Sequence, residues 1–267
     1  MLDLERDSAP FDGVAGTYDR NFTHTALGRE LRERVWQRLE AHFSPGTRVL
    51  ELNCGTGEDA VWLAERGVRV VATDQSDAML EVARRKIERT ASASVELTRL
   101  DLEQPEAIFT NSSFDGAFSN FGGLNCVGDV RVLARSLARW LKPGATLVLV
   151  VMGPLCLWET LYYLARFEPR TAFRRGKKRR VEARVGGRSL RVSYPWPSEL
   201  ARRFEPEFRL LRWWGLGVAL PPTILVDAME KHPRALRFLQ GLEDRISKVR
   251  PFSYFGDHFI LELERHV

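Results

Sequence analysis

The sequence lacks any run near the ~18 consecutive apolar residues that a bilayer-spanning helix needs. Its longest apolar stretch goes from Ala145 to Val151 and continues loosely through Met152 to Leu157. The opening MLDLERDSAP is acidic and has neither the basic start nor the apolar centre of a signal peptide, so a cytoplasmic location is expected. Cysteine is scarce: Cys54, Cys126 and Cys156 are odd in number, widely spaced and free of CxxC or Cys/His clustering. That argues against a disulfide framework and leaves no metal site to expect. Internal repeats and low-complexity tracts are also missing, which excludes solenoids and disordered arrays.

What is present is an ordinary globular composition. The 267 residues are 44% apolar and 28% charged, enough for one sizeable core and cramped for two full domains. The net charge of +5 is unevenly placed. Between Arg166 and Arg212 fifteen Lys/Arg stand against five Glu and no Asp, leaving 25 basic and 30 acidic residues elsewhere. That segment could face an anionic partner, whereas a solvated surface would need none.

Thr25 to Phe43 places Leu27, Leu31, Val35 and Leu39 four apart, one face of a helix closed by Ser44-Pro45-Gly46. Then comes a β/α rhythm. Strands are predicted at Arg48–Leu52, Val68–Thr73, Ser94–Leu100, Phe114–Phe121 and Ala145–Met152. Helices are predicted at Glu58–Arg66, Asp77–Arg89 and Val130–Leu141, the last stopped by Lys142-Pro143-Gly144. Such alternation defines a doubly wound α/β sheet. After Gly153 the rhythm changes: a helix over Leu155–Phe167, a hairpin turning at Gly186-Gly187, a short helix at Pro197–Phe204, then strands at Phe208–Trp214 and Phe259–Leu263 around one or two helices in Pro222–Lys248.

The sharpest chemical signal is Val49-Leu-Glu-Leu-Asn-Cys-Gly-Thr-Gly-Glu58. Gly55 and Gly57 permit a tight turn and close backbone approach to a ligand at the C-terminal edge of a parallel sheet. A dinucleotide site uses a similar turn, but Glu51 beside it would repel a pyrophosphate and attract a cationic ligand. This stretch resembles motif I of the class I S-adenosylmethionine-dependent methyltransferases. Asn53 stands where that family usually has glycine, and asparagine is the residue that best replaces glycine at positive φ.

The resemblance continues in order through residues 10 to 152. It implies that Asp74, ending the second strand, accepts both ribose hydroxyls, with Gln75 beside it and Met79 packing on adenine. Asp101 and Leu102 would meet the adenine amino group and ring face. Asn120 and Phe121, in Ser119-Asn-Phe-Gly-Gly, would close the fourth strand below the methyl-transfer point, and Tyr18, in a segment that also contains Phe11-Asp12, would help cover the cofactor. The fold implied is a mostly parallel seven-stranded sheet whose last strand is antiparallel. One domain over 1–267 is expected: a cofactor-binding core at 10–152, a substrate-cap insertion after the fifth strand at 153–206, and completing strands and helices at 207–267.

Methyl transfer from a sulfonium needs a nucleophile held in line and water excluded; a protein base is needed only where the nucleophile must lose a proton. An antiparallel last strand would start at the active-site edge, making His258 a candidate base, and His24 is a second candidate near the covering segment. His42, His232 and His266 read as exposed. Asn125, Trp158 and Trp196, with other aromatics of the insertion, would suit a large apolar or aromatic acceptor of lipid, quinone or polyketide type. The basic run 174–180 could touch a membrane or an anionic substrate. No nucleic-acid partner is expected, because the Asn/Asp-Pro-Pro-Tyr motif of amino-methylating nucleic-acid enzymes is replaced by Asn120-Phe-Gly-Gly. An RNA or protein methyltransferase, a cofactor-binding protein without catalysis, and an NAD(P)-linked oxidoreductase remain alternatives at this point.

Overall fold

The structure, a computed structural model, describes residues 9–90, 92–105, 108–176 and 180–266. Ahead of the sheet the chain forms α1 (Ala15–Tyr18), a π-helical turn (Asp19–Thr23) and α2 (Ala26–His42). The Thr25 hydroxyl caps α2 by accepting from the Gly28 amide. Five parallel strands follow: β1 (Arg48–Glu51), then α3 (Glu58–Ala64), β2 (Arg69–Asp74), α4 (Asp77–Thr90), β3 (Val95–Arg99), β4 (Phe114–Ser119), α5 (Val130–Trp140) and β5 (Leu141–Met152). Between β3 and β4 the described residues form no helix, only turns.

β5 is longer than its sequence predicts. Lys142-Pro143-Gly144 does stop α5, yet Leu141 already pairs with Phe114, and the register then slips before Gly116 meets Thr146. The slip accommodates Gly144, whose φ of +77° a side chain would resist.

The insertion contributes α6 (Leu157–Ala165), α7 (Pro169–Ala172), the antiparallel pair β6 (Val181–Val185) and β7 (Arg188–Val192), and α8 (Pro197–Arg203). After it come β8 (Phe208–Leu216), α9 (Val226–Lys231), α10 (Pro233–Ile246) and β9 (His258–Arg265). The main sheet has the order β3-β2-β1-β4-β5-β9-β8, with β9 antiparallel to both neighbours, as expected.

Alternation along the strands sends side chains into two layers. Leu147, Leu149 and Val151 pack with Leu133, Leu137 and Trp140 of α5 and with Leu200 of α8. Val148 and Val150 face the opposite side, against Leu27, Leu31, Val35 and Leu39 of α2. One polar knot breaks this pattern: Glu262, fully buried in β9, accepts from Arg38 of α2 and Arg212 of β8. His42 joins it, its Nε2 lying 2.9 Å from the carboxylate, so this histidine is not the exposed residue its sequence predicts. Burial would raise the Glu262 carboxyl; His42 and Arg38 outweigh that and hold it below the usual range.

Candidate active site

A cavity opens at the C-terminal ends of β1, β2 and β4, where a doubly wound sheet presents its ligands. The first wall is the turn after β1. Gly55 and Gly57 hold φ of +53° and +76°, and a Cβ built on Gly55 would meet nothing within 4 Å, so the backbone at Gly55 borders open space. A Cβ on Gly57 would stand 3.0 Å from Ala83 of α4, so Gly57 serves the packing of α4 and is not among the lining residues. Asn53 is not among the residues with positive φ, so conformational tolerance does not explain an asparagine here. Its side chain instead laces the end of β1 to the end of β4. Oδ1 accepts from the Ser119 hydroxyl, and Nδ2 donates to the Asn120 carbonyl at 2.6 Å.

Asp74 stands across from that turn. Oδ2 accepts from the Gly55 amide and Oδ1 from the Ser76 amide, both at 2.9 Å. Each carboxylate oxygen therefore keeps acceptor capacity for one further donor, and the side chain is fixed before any ligand arrives. Burial raises its pKa against the pull of these amides. The Ser76 hydroxyl donates to Asp12 at 2.5 Å and accepts from the Met79 amide, bringing the N-terminal segment and the start of α4 together. Met79, Gln75, Asp101 and Leu102 line the cavity as expected, and Asp101 accepts from the Glu103 amide. Tyr18 lines it too; burial pushes its hydroxyl up to about 12.

At the cavity floor lies a charged group that sequence reasoning missed. Arg32 of α2 donates to Asp59 of α3 at 2.5 Å, and Asp59 also accepts from Trp36 and from Asn120. The guanidinium sits over the rings of Phe22 and Phe121, 5.7 and 4.9 Å from their centroids. The signal was present: Arg32 adjoins Leu31 on the buried side of α2, a position where an unpaired charge would not persist. Glu51 is fully buried and is not among the residues that line the cavity, and neither of its carboxyl oxygens has a hydrogen-bond partner. Burial, then Asp59, raise its pKa well above the usual carboxyl range, with Arg32 opposing. Burial likewise pushes the Cys54 thiol up.

Phe121 carries φ of +45°, rare for a residue with a Cβ, and forms the wall that α2 and β9 share. Behind it is His258, at the first position of β9 and paired with Met152. Its ring meets Phe121 edge-on at 5.7 Å, and its Nδ1 lies 3.0 Å from Asp257 Oδ2. His258 is thus at the expected sheet edge, one ring removed from the cavity. His24 is exposed and belongs to a separate surface depression with Trp36, Trp62 and Lys86.

The three expected acceptor contacts are not brought to the cavity. Asn125 is fully buried, donating to the carbonyls of Met152 and Ser193 and accepting from the Met152 amide. Trp158 Nε1 donates to the Ala219 carbonyl, and Trp196 packs on Tyr254 at 5.8 Å. No described residue of the insertion lines the cavity, and the hairpin β6–β7 touches segments that do. Its tip abuts the covering segment so closely that a Cβ on Gly13 would stand 2.9 Å from the Gly186 carbonyl oxygen. Its base is tied through Ser193 and Arg180 to the 3-10 turn Gly123–Cys126, two of whose residues line the cavity.

Of the basic run 174–180, Lys177, Lys178 and Arg179 lie outside the described residues. Arg175 is buried and bound to Glu159 and Asp257, so this part of the run is no solvated loop.

A glycine turn with open space before it, an anchored acid with lone pairs to spare and a buried carboxyl without a partner fit a ligand that carries a ribose and a cationic end. S-adenosylmethionine has both. A family model described as "Methyltransferase domain" matches residues 49–144. The demethylmenaquinone methyltransferase of Mycobacterium sp. (strain KMS) is 34% identical over 236 residues, 84% of this chain and 93% of that one. That of Clavibacter sepedonicus is 37% identical over 142 residues, 53% of this chain and only 56% of its own length. In fold, the S-adenosylmethionine-dependent methyltransferase from Mesorhizobium loti superposes with a TM-score of 0.56 at 18% identity, covering 91% of this chain and 99% of that one. The chain belongs to the class I S-adenosylmethionine-dependent methyltransferases. It is a methyltransferase with that cofactor, and the NAD(P) alternative falls away.

Proposed function

We propose that this enzyme methylates a quinone-type ring of the kind its relatives are named for, in the reduced, hydroxyl-bearing form. The observation that carries the reading is the length of the likeness: 236 residues at 34% identity are more than the stretch from 10 to 152 can hold, so the likeness extends into the acceptor side of the chain. The cofactor supplies an electrophilic methyl group on a sulfonium. Asp74 would hold the ribose, Met79, Asp101 and Leu102 the adenine, and Glu51 with the turn at Gly55 and Gly57 the amino-acid end. Tyr18 and Phe121 would exclude water on the methyl side.

A ring carbon next to a phenolic hydroxyl attacks more readily once that hydroxyl has lost its proton, and the ring must afterwards lose its own hydrogen. We assign His258 as the acceptor of a proton; because its ring stands behind Phe121, the Phe121 side chain must turn aside before the substrate hydroxyl comes within hydrogen-bond reach. Asp257 supports this by its position beside Nδ1, where it favours the tautomer with Nε2 free. Burial alone would raise the Asp257 carboxyl; Arg175 and His258 hold it far below the usual range, so it stays anionic. The hairpin β6–β7 serves as the cap over the acceptor, and the remaining basic residues of the insertion as the side turned to an anionic surface.

The test is a methyl-transfer assay with reduced naphthoquinones, structured RNA and protein substrates in parallel. Turnover of the naphthoquinol alone is expected, abolished in His258→Gln with unchanged affinity for S-adenosylhomocysteine. Methylation of RNA or protein with none of the quinol would overturn the acceptor, and full turnover by His258→Gln would overturn the base.

A further inference from the structure

Helix α6 is inside out. Its one acid, Glu159, is 5% exposed and turned inward to the buried Arg175, while Leu157, Leu161 and Leu164 are 46%, 53% and 39% exposed. Spaced four and three apart, these leucines form one stripe along the helix. Two phenylalanines extend it: Phe167, just past the C-terminus, is 93% exposed, and Phe173, after α7, is 59% exposed. In water this arrangement has no advantage, since each exposed leucine or phenylalanine forgoes the gain from burying it. Against an apolar medium it is the sensible orientation, with the charge hidden and the hydrocarbon outside.

The rim of the stripe names the medium. Arg166 and Arg170 are exposed beside it, and Arg166 and Arg174 lie over the rings of Tyr162 and Tyr163 at 5.5 and 5.6 Å. Leucine and phenylalanine below, tyrosine and arginine at the margin, is the ordering of an interfacial helix. The stripe also opens the segment that carries the whole of the chain's excess positive charge. A second copy of the chain fits less well, because a two-fold contact would set this basic segment against itself.

We propose that α6 and the turn after it dock on an anionic bilayer, sinking Leu157, Leu161, Leu164, Phe167 and Phe173 to the headgroup–acyl boundary. The insertion leaves the sheet after Met152, at the edge where the cavity opens, so docking sets that edge toward the lipid. The inference does not depend on the acceptor, although a quinone dissolved in the bilayer would give the docking a purpose.

The experiment is vesicle flotation of the full chain with phosphatidylcholine alone and with added phosphatidylglycerol. Binding to the anionic vesicles is expected, weakened by salt but not abolished. Leu161→Glu with Phe167→Glu should bind at least about tenfold more weakly, as the loss of even one buried side chain of this size implies. Both positions are exposed, and unchanged affinity for S-adenosylhomocysteine in calorimetry will show that the variant is folded. Failure of the wild type to float, or equal flotation of the folded variant, overturns the proposal. So does a concentration-dependent dimer, seen by light scattering, that the double variant dissolves while wild-type vesicle binding is absent. None of these outcomes bears on which ring is methylated.

Discussion

The cofactor side of the molecule and its insertion are built from different materials. On the cofactor side, ligand-facing groups sit at strand ends and are anchored mostly to backbone of the same sheet edge: Asp74 to the amides of Gly55 and Ser76, Asp101 to that of Glu103. In the insertion, what fixes position is side chain on distant partner: Arg175 on Asp257, Trp158 on Ala219, Asn125 on Ser193. The first arrangement keeps its geometry as long as the sheet does. The second concentrates positional information in a few buried polar groups, each costly to remove.

The sharpest way to break this contrast is Arg175→Met. It leaves Asp257 with only His258 and Glu159 with only the partly exposed Arg174 as cationic neighbours, and a loss of ~3–5 kcal/mol is expected, read as a lower urea midpoint. S-adenosylhomocysteine affinity of the folded fraction should not change, because no cofactor wall uses this arginine. The same cluster predicts acid sensitivity. The folded pKa of Asp257 is depressed, so its contribution is complete above the ordinary aspartate value of about 4 and is lost as pH falls through and below it. Asp257→Asn should flatten that part of the stability profile; an unchanged profile would mean that the cluster does not hold the insertion.

Asp74→Ala is the counterpart on the cofactor side. Two hydrogen bonds from ribose to a charged acceptor disappear at ~1.5–3 kcal/mol each, so affinity should fall by about 100-fold or more in calorimetry. Retained affinity would remove Asp74 from the site.

The two arrangements differ in how much of them could be read beforehand. The succession of strands along the chain, the glycine turn and the positions of Asp74, Met79, Asp101 and Leu102 at the cavity, at or just after strand ends, were legible because such positions follow from hydrophobic periodicity and short-range spacing. Asn53 lines the cavity, but not for the conformational reason its position suggests: its amide bridges two strands and needs no positive φ. Arg32 and Asp59 were missed because they meet across two helices: the place of Arg32 on the buried side of α2 signals that a partner is needed, but nothing local names Asp59 as that partner. Asn125, Trp158 and Trp196 were read as acceptor contacts because polarity and aromatic content suit a ligand. The same atoms serve equally well to pin a loop, and only tertiary contacts tell these uses apart.

Glu51 sharpens the comparison from inside the cofactor side, as a group whose stability cost and function pull apart. Its folded pKa is raised, so the folded state binds the extra proton and stability declines as pH rises from about 4.3 toward the folded value. Glu51→Gln removes that cost. The ligand-free variant should melt higher than the wild type at pH 8, while affinity for S-adenosylhomocysteine falls by roughly tenfold, the equivalent of ~1.4 kcal/mol, because a cationic amine loses its anion. Calorimetry in buffers of different ionisation enthalpy should also show proton release on binding in the wild type and none in the variant. A variant that binds as well as the wild type would make Glu51 a structural residue only.

The smallest expected effect probes a place where the two arrangements touch. Gly13 lies in the covering segment and its backbone meets the hairpin tip at Gly186, so that a methyl group would be forced to within 2.9 Å of a carbonyl oxygen. Backbone does not yield there as a flexible side chain would, and the tip must move away. Gly13→Ala should therefore cost about 1 kcal/mol of hairpin docking, seen as faster amide hydrogen exchange across Val181–Val192 with no change within β1, β2 or β4. If the hairpin covers the acceptor, KM for the quinol rises about fivefold at unchanged cofactor affinity. If exchange quickens while KM stays the same, the hairpin is a brace between two walls of the cavity, and the acceptor enters from another side.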